Sequence, residues 1–292
     1  MAVKPAYTAQ ITRNTPTAFI FLIDQSVSMR SFITYEGEEM AKSEAVARIV
    51  NKTIKSLVLR CIKGNEIRDY YDIAAIGYGT EARSAWKGSL GGRYFVSPSE
   101  LNDNPYQTLT VRKKIKTKRG ETIKEIQEEQ WIVSNASGSW THVHKAFARA
   151  KQLLNDWMQK HHEEDCYPPT IINITDGMFN GASRDAVVQL ANELKSMYTN
   201  DGNVLLFNIH ISSDSTDQVL CPPLRSDVEG DALSAALFDL SSLLPSKYSD
   251  AIAQVRGDGQ VSDRYVGMAA NLDMSQLIQL MDIGTLTSTP IK

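Results

Sequence analysis

The stretch Thr17-Ala18-Phe19-Ile20-Phe21-Leu22-Ile23-Asp24-Gln25-Ser26-Val27-Ser28 passes from apolar to oxygen-rich within a few residues. Its first part carries branched and aromatic side chains without polar alternation, the pattern of a strand buried on both faces of a parallel sheet. Asp24 then stands at the carboxyl end of that strand, with the hydroxyls of Ser26 and Ser28 directly behind it. Ligands of open parallel sheets gather in the crevice outside the strands' carboxyl ends, so a carboxylate and two hydroxyls there make a candidate hard-cation site. Asp and Ser also build ordinary turns, and the D-x-S-x-S spacing alone leaves that alternative open.

Two later segments extend the pattern. Pro169-Thr170-Ile171-Ile172-Asn173-Ile174-Thr175-Asp176-Gly177 is a second short apolar run ending in Asp, with Gly permitting a sharp turn. Between the two lies Gly138-Ser139-Trp140-Thr141, followed by Val143, Phe147, Ala150 and Leu154 at helical spacing. Thr141 is expected to open that helix, where a plain capping hydroxyl is the alternative role. If the strands ending at Asp24 and Asp176 are neighbours at the centre of a doubly wound sheet, the two carboxylates emerge side by side.

Asp24, Ser26, Ser28, Thr141 and Asp176 together resemble the metal-ion-dependent adhesion site of the von Willebrand factor A family. The family pattern is D-x-S-x-S, then a Thr opening a helix, then T-D-G after a strand; Ala146 matches its small residue five positions beyond the Thr. His144 and Val27 stand where many members carry Gly, and neither replaces a ligand. The resemblance covers roughly residues 14–285, with specificity in the three motif segments. It implies a Rossmann-like α/β fold and a bound Mg2+, with Mn2+ or Ca2+ as alternatives. Ser26 and Ser28 would coordinate directly, Thr141 directly or through water, and Asp24 and Asp176 mainly through water. An Asp or Glu carboxylate of a partner protein would take the open position. The donor chemistry agrees, because Mg2+ prefers octahedral oxygen coordination at about 2.0–2.1 Å and retains water. Bacterial intracellular members, including the tellurite-resistance-associated group, imply kinase, phosphatase or ATPase partners.

A chain of 292 residues can form one elaborated α/β domain. A net charge of −3 gives no global attraction to nucleic acid or anionic membrane. No apolar stretch reaches the roughly 18 residues of a spanning helix, and the start Met1-Ala2-Val3-Lys4-Pro5-Ala6-Tyr7 lacks the apolar region of a secretory signal. Cys61, Cys166 and Cys221 are scattered, which suits buried thiols in a reducing cytoplasm.

The alternation of apolar patterns predicts about six strands: the first one, Tyr70–Gly77, a short antiparallel edge at Arg93–Ser97, Ile171–Thr175, Val204–Ile211 and Tyr265–Ala270. Helices are expected over Met40–Ile62, Thr141–Lys160, Arg184–Tyr198, Ala232–Leu240 and Met274–Met281, with a loop over Ser31–Gly37 and a loose tail at 284–292. No Gly-rich phosphate loop follows the first strand, which leaves a nucleotide site without support.

Residues 100–135 read as an insertion. Arg112, Lys113, Lys114, Lys116, Lys118 and Arg119 face Glu121, Glu125, Glu128 and Glu129 if a hairpin turns near Arg119-Gly120, giving either a self-paired solvated arm or a docking arm for an acidic surface. Ser212–Asp217 and Asp231 belong to a long loop on the same rim as the cation site. A metal-dependent hydrolase is the competing function, with His142 or His144 beside Thr141 as base; residues i and i+2 of a helix diverge, so at most one is expected to point at the site. His161-His162-Glu163-Glu164-Asp165-Cys166 reads as solvated polar residues between a helix and Pro168-Pro169.

Overall fold

The computed structural model describes residues 6–35, 37–117, 120–162, 164–211, 218–257, 259–272, 276 and 279, with backbone only at 112–117, 120, 121 and 123. Of the expected Met274–Met281 helix only 276 and 279 are described, both helical; the 284–292 tail and the Ser212–Asp217 loop lie outside the described residues.

Five parallel strands carry the architecture: β1 (Thr17–Asp24), β2 (Tyr71–Tyr78), β3 (Thr170–Thr175), β4 (Leu205–His210) and β5 (Met268–Ala270). Their order is β2-β1-β3-β4-β5. β1 and β3 pair in parallel from Phe19↔Thr170 to Ile23↔Ile174, so the apolar runs before Asp24 and Asp176 are indeed adjacent. The chain winds one way from β1 to β2 and the other way from β3 onward. The switch point therefore falls between the two Asp-terminated strands, the place where an open sheet leaves a crevice.

The edges differ from expectation. Phe95–Val96 is an antiparallel edge as anticipated, but Ala82–Ser84 also pairs antiparallel with β2, and Val219–Leu220 closes the opposite edge on β5. Among the described residues the sheet thus has eight strands. These added segments span three and two residues, too short for a periodic signal in sequence.

Among the described residues the helices α1 (Lys42–Arg60), α2 (Val143–Lys160), α3 (Arg184–Ser196) and α4 (Ala232–Leu240) pack on the faces, joined by the shorter Ser249–Arg256, which buries Ile252. Every residue of β1 is buried, and the side chains alternate between two cores. Phe19, Phe21 and Ile23 meet Ala45, Val46, Ile49 and Val50 of α1. Ile20 and Leu22 meet Val143, Phe147, Ala150 and Leu154 of α2 with Val187 and Ala191 of α3. Each such side chain contributes about 1.5–3 kcal/mol on burial, which makes this central strand the organiser of both layers.

α1 begins at Lys42 rather than Met40, because Glu38–Ala41 pairs with Phe32–Tyr35 in a ribbon where a loop was expected. Within the insertion, Pro98–Asp103 is a short helix with a Ser97/Glu100 capping box, and Gln107–Thr117 pairs with Gly120–Gln130. The register sets Lys116 opposite Glu121 and Arg112 opposite Glu125, but Lys113 opposite Lys124, so the charge complementarity is partial. The ribbon's base is fixed on α1, where Asn51 Oδ1 accepts from the Trp131 and Ile132 amides.

Candidate metal centre

Asp24, at the last position of β1, is fully buried. Its Oδ1 accepts from the Ser26 amide at 2.8 Å and its Oδ2 from Thr175 Oγ1 at 2.6 Å. The turn after β1 is held tightly: the Gln25 amide donates to Tyr78 O, Gln25 O accepts from the Gly138 amide, and Ser26 bridges to Gly138. A Cβ on Gly138 would lie 2.9 Å from both Gln25 O and Gly79 Cα, so only glycine lets the three backbone segments meet there.

From this turn a chain of oxygens crosses the switch point. Ser26 Oγ and Ser28 Oγ are 2.9 Å apart, and Ser28 Oγ donates to Asp176 Oδ1 at 2.6 Å. A Cβ on Gly177 would lie 3.5 Å from Ser28 Oγ and 3.9 Å from Thr141 Oγ1, so both hydroxyls face the same glycine. Thr141 is buried and pinned by Asn180, whose Oδ1 accepts from the Thr141 amide while its own amide donates to Thr141 O. Thr141 is not the capping residue; His142 holds that position without a side-chain capping bond, and the helix starts at Val143. The five residues singled out in sequence therefore converge on the carboxyl ends of β1 and β3.

Lys42 was not singled out. Its Nζ is 3.0 Å from Asp176 Oδ2, with the lysine side chain 7% exposed and the Asp176 side chain fully buried. A lysine at the start of a helix ordinarily reads as solvated, and only the ribbon before α1 turns it inward. Burial pushes the Asp24 carboxyl up to about 6, with the Asp176 charge adding to the rise and the bonds from Ser26 and Thr175 opposing it. At the end of β4, burial pulls the His210 imidazole down, while Asp231 counteracts. Asp231 itself caps α4 through the Leu233 and Ser234 amides, which accounts for its acidic side chain without an ion.

The His142 and His144 rings converge to 5.1 Å where helical i,i+2 positions would diverge, because His142 precedes the helix; a Cβ on Gly181 would overlap the His142 ring and come within 3.2 Å of His144. The His161–Cys166 segment departs from expectation: His161 and Cys166 are buried and meet Glu164 rather than lying in solvent.

A buried carboxylate held up near 6 beside a second carboxylate, with three neutral hydroxyls, is a donor set that suits a hard divalent cation. Val27, Trp140 and Met178, one from each site segment, remain more than half exposed around it.

No described helix is long and apolar enough to cross a membrane. Neither a family profile nor a curated protein matches the chain. Among solved structures it is similar to proximal thread matrix protein 1 from the mussel byssus, at 10% identity and TM-score 0.43 over 96% of this chain and 49% of that one. It is also similar to the ArnB paralog VWA2 from Sulfolobus acidocaldarius, at 17% identity and TM-score 0.32 over 70% of this chain and 36% of that one. A von Willebrand factor type A structure from Catenulispora acidiphila aligns at 10% identity and TM-score 0.37 over 68% of this chain and 33% of that one. The chain spans about half the length of the first and about a third of the other two.

Proposed function

We propose that this chain is a von Willebrand factor A-type interaction module in which Asp24, Ser26, Ser28, Thr141 and Asp176 hold Mg2+ for an acidic residue of a partner protein. The observation that carries the reading is the continuous oxygen chain from Ser26 through Ser28 to Asp176, laid over buried Asp24 at the switch point of the sheet. Bound there, the ion would supply an electrophilic position for a further oxygen ligand. The charges favour a carboxylate in that role: Lys42 offsets one of the two Asp charges, so a divalent ion leaves the cluster with a net positive charge. Lys42 holds Asp176 Oδ2, while Oδ1 faces the serines. The exposed Val27, Trp140 and Met178 give the incoming segment an apolar collar. A cytoplasmic setting and kinase, phosphatase or ATPase partners belong to the same reading.

Melting of the native chain and of Ser28→Ala, titrated with Mg2+, tests the site. Ligand at about a hundred times its Kd stabilises by about 2.7 kcal/mol, so the native transition should rise and the variant's should not. An identical response of both proteins removes the site. Phosphoester turnover that depends on Mg2+ and on Ser28 would assign the same ion to hydrolysis instead of binding.

A further inference from the structure

His161, Glu164 and Cys166 lie at the opposite end of α2 from Thr141, in the segment that leads into β3. His161 Nδ1 is 2.6 Å from Glu164 Oε2, and Cys166 Sγ is 3.5 Å from the same oxygen. One donor atom from each residue lies within 4.8 Å of the other two. His161 is 9% exposed and Cys166 1%, whereas the Glu164 side chain is 37% exposed and opens the cluster to solvent.

Hydrogen bonding within the trio leaves one group unexplained. His161 Nε2 is buried without a hydrogen-bond partner and faces Asp72 Oδ2 at 3.9 Å. If Nδ1 of a neutral ring donates to Glu164, Nε2 is a lone pair turned toward a carboxylate, an unfavourable pairing. A cation on Nδ1 reverses this, because Nε2 then carries the proton and points it at Asp72. That arrangement of carboxylate, histidine and metal is how proteins fix a ligating imidazole. Asp72 is oriented for it by Trp157 Nε1, which donates to Oδ2 at 2.8 Å, and the Trp157 ring packs on the imidazole with centroids 4.6 Å apart.

We propose that His161 Nδ1, Glu164 Oε2 and Cys166 Sγ form a second cation site, for a borderline-soft divalent ion of the Zn2+ class, with water as the fourth ligand. Tetrahedral zinc with bonds of about 2.0–2.3 Å separates its ligand atoms by about 3.2–3.7 Å. The sulfur to oxygen distance already lies in that range, and the nitrogen to oxygen distance reaches it by a sub-ångström movement of exposed Glu164. Burial and the Glu164 hydrogen bond push the Cys166 thiol up to about 12, so ion uptake displaces a proton from sulfur. The site shares no residue with the rim and does not depend on its reading.

The test uses the full chain stripped of metal and titrated with Co2+, which reports thiolate ligation through near-ultraviolet charge transfer and tetrahedral geometry through visible bands. Both signals should saturate at a single equivalent and disappear on adding Zn2+. Cys166→Ser should remove the charge-transfer band, Asp72→Asn should weaken Co2+ binding about 10–100-fold, and Ser28→Ala should leave the spectrum unchanged. Absence of charge transfer in the native chain, or its persistence in Cys166→Ser, overturns the proposal. Should Cys166→Ser fail to fold, Glu164→Gln decides: at least tenfold weaker Co2+ binding is expected, and unchanged affinity overturns the site.

Discussion

The two ends of α2, about 27 Å apart along its 18 residues, gather donors of different chemistry. At the start, Thr141 joins two serines and two aspartates that leave the carboxyl ends of β1 and β3, an all-oxygen set. At the end, a nitrogen, an oxygen and a sulfur meet in the approach to β3. They also balance charge differently. The rim buries its Asp176 carboxylate completely and answers it with Lys42, whereas the far cluster leaves Glu164 partly in water. Burial depth therefore determines how much each end loses when a charge is removed.

The rim should be the more fragile. Asp176→Ala strands the Lys42 ammonium in a buried position, and an uncompensated buried charge costs about 3–5 kcal/mol. Denaturant unfolding should show that loss, and adding Lys42→Met should recover most of it, because the pair then disappears together. If the single variant loses less than about 1 kcal/mol, the contrast in burial fails. The variant should also lose its response to Mg2+.

Acidity separates the ends further. Asp24 rises from an ordinary value near 3.8 to about 6 because it is buried, so between those limits the folded chain binds more protons than the unfolded one. The stability that this proton supplies is present below about 4 and is lost as pH rises through 6. The displacement corresponds to about 3 kcal/mol at about 1.4 kcal/mol per pH unit. In chelator, Asp24→Asn should therefore gain about that much on the native chain between pH 4 and 7. Saturating Mg2+ should shrink the gain by favouring the native carboxylate. A pH-independent difference in chelator would show that Asp24 titrates normally.

What was legible in sequence follows the same division. Thr17–Asp24 and Thr170–Thr175 match their apolar runs almost to the residue, because burial on both faces demands an uninterrupted pattern. Of the apolar residues at helical spacing, Ala45, Val46, Ile49, Val50, Ile54, Leu57, Val58 and Cys61 are buried, since helical periodicity reports one face directly, whereas Ala41 falls in the ribbon and is half-buried. The rim residues could be assembled because each follows a strand or stands just before a helix. Lys42 could not: its burial depends on the Phe32–Tyr35 and Glu38–Ala41 ribbon, a tertiary feature without its own periodic signal. His161 and Cys166 were hidden because polar residues after a helix normally face water. The packing of Trp157 with Ala18 and the neighbouring Asp72 strand encloses them. Tyr265–Ala270 contracted to Met268–Ala270, the part in register with β4 and Val219–Leu220.

The smallest effect belongs to the far end and provides the sharpest control. Glu164→Gln removes a carboxylate that is partly solvated, so its ion pair with His161 is screened and the amide retains an acceptor for Nδ1. In metal-free buffer the loss should stay below about 1 kcal/mol, several times less than at Asp176. A larger loss would mean that His161 carries a full charge bridging Glu164 and Asp72, which would make the far cluster an ion-pair network of the same kind as Lys42 with Asp176. A small loss is what a partly solvated carboxylate gives, and it leaves the buried Nε2, 3.9 Å from Asp72 Oδ2, as the atom that a cation on the opposite nitrogen would orient.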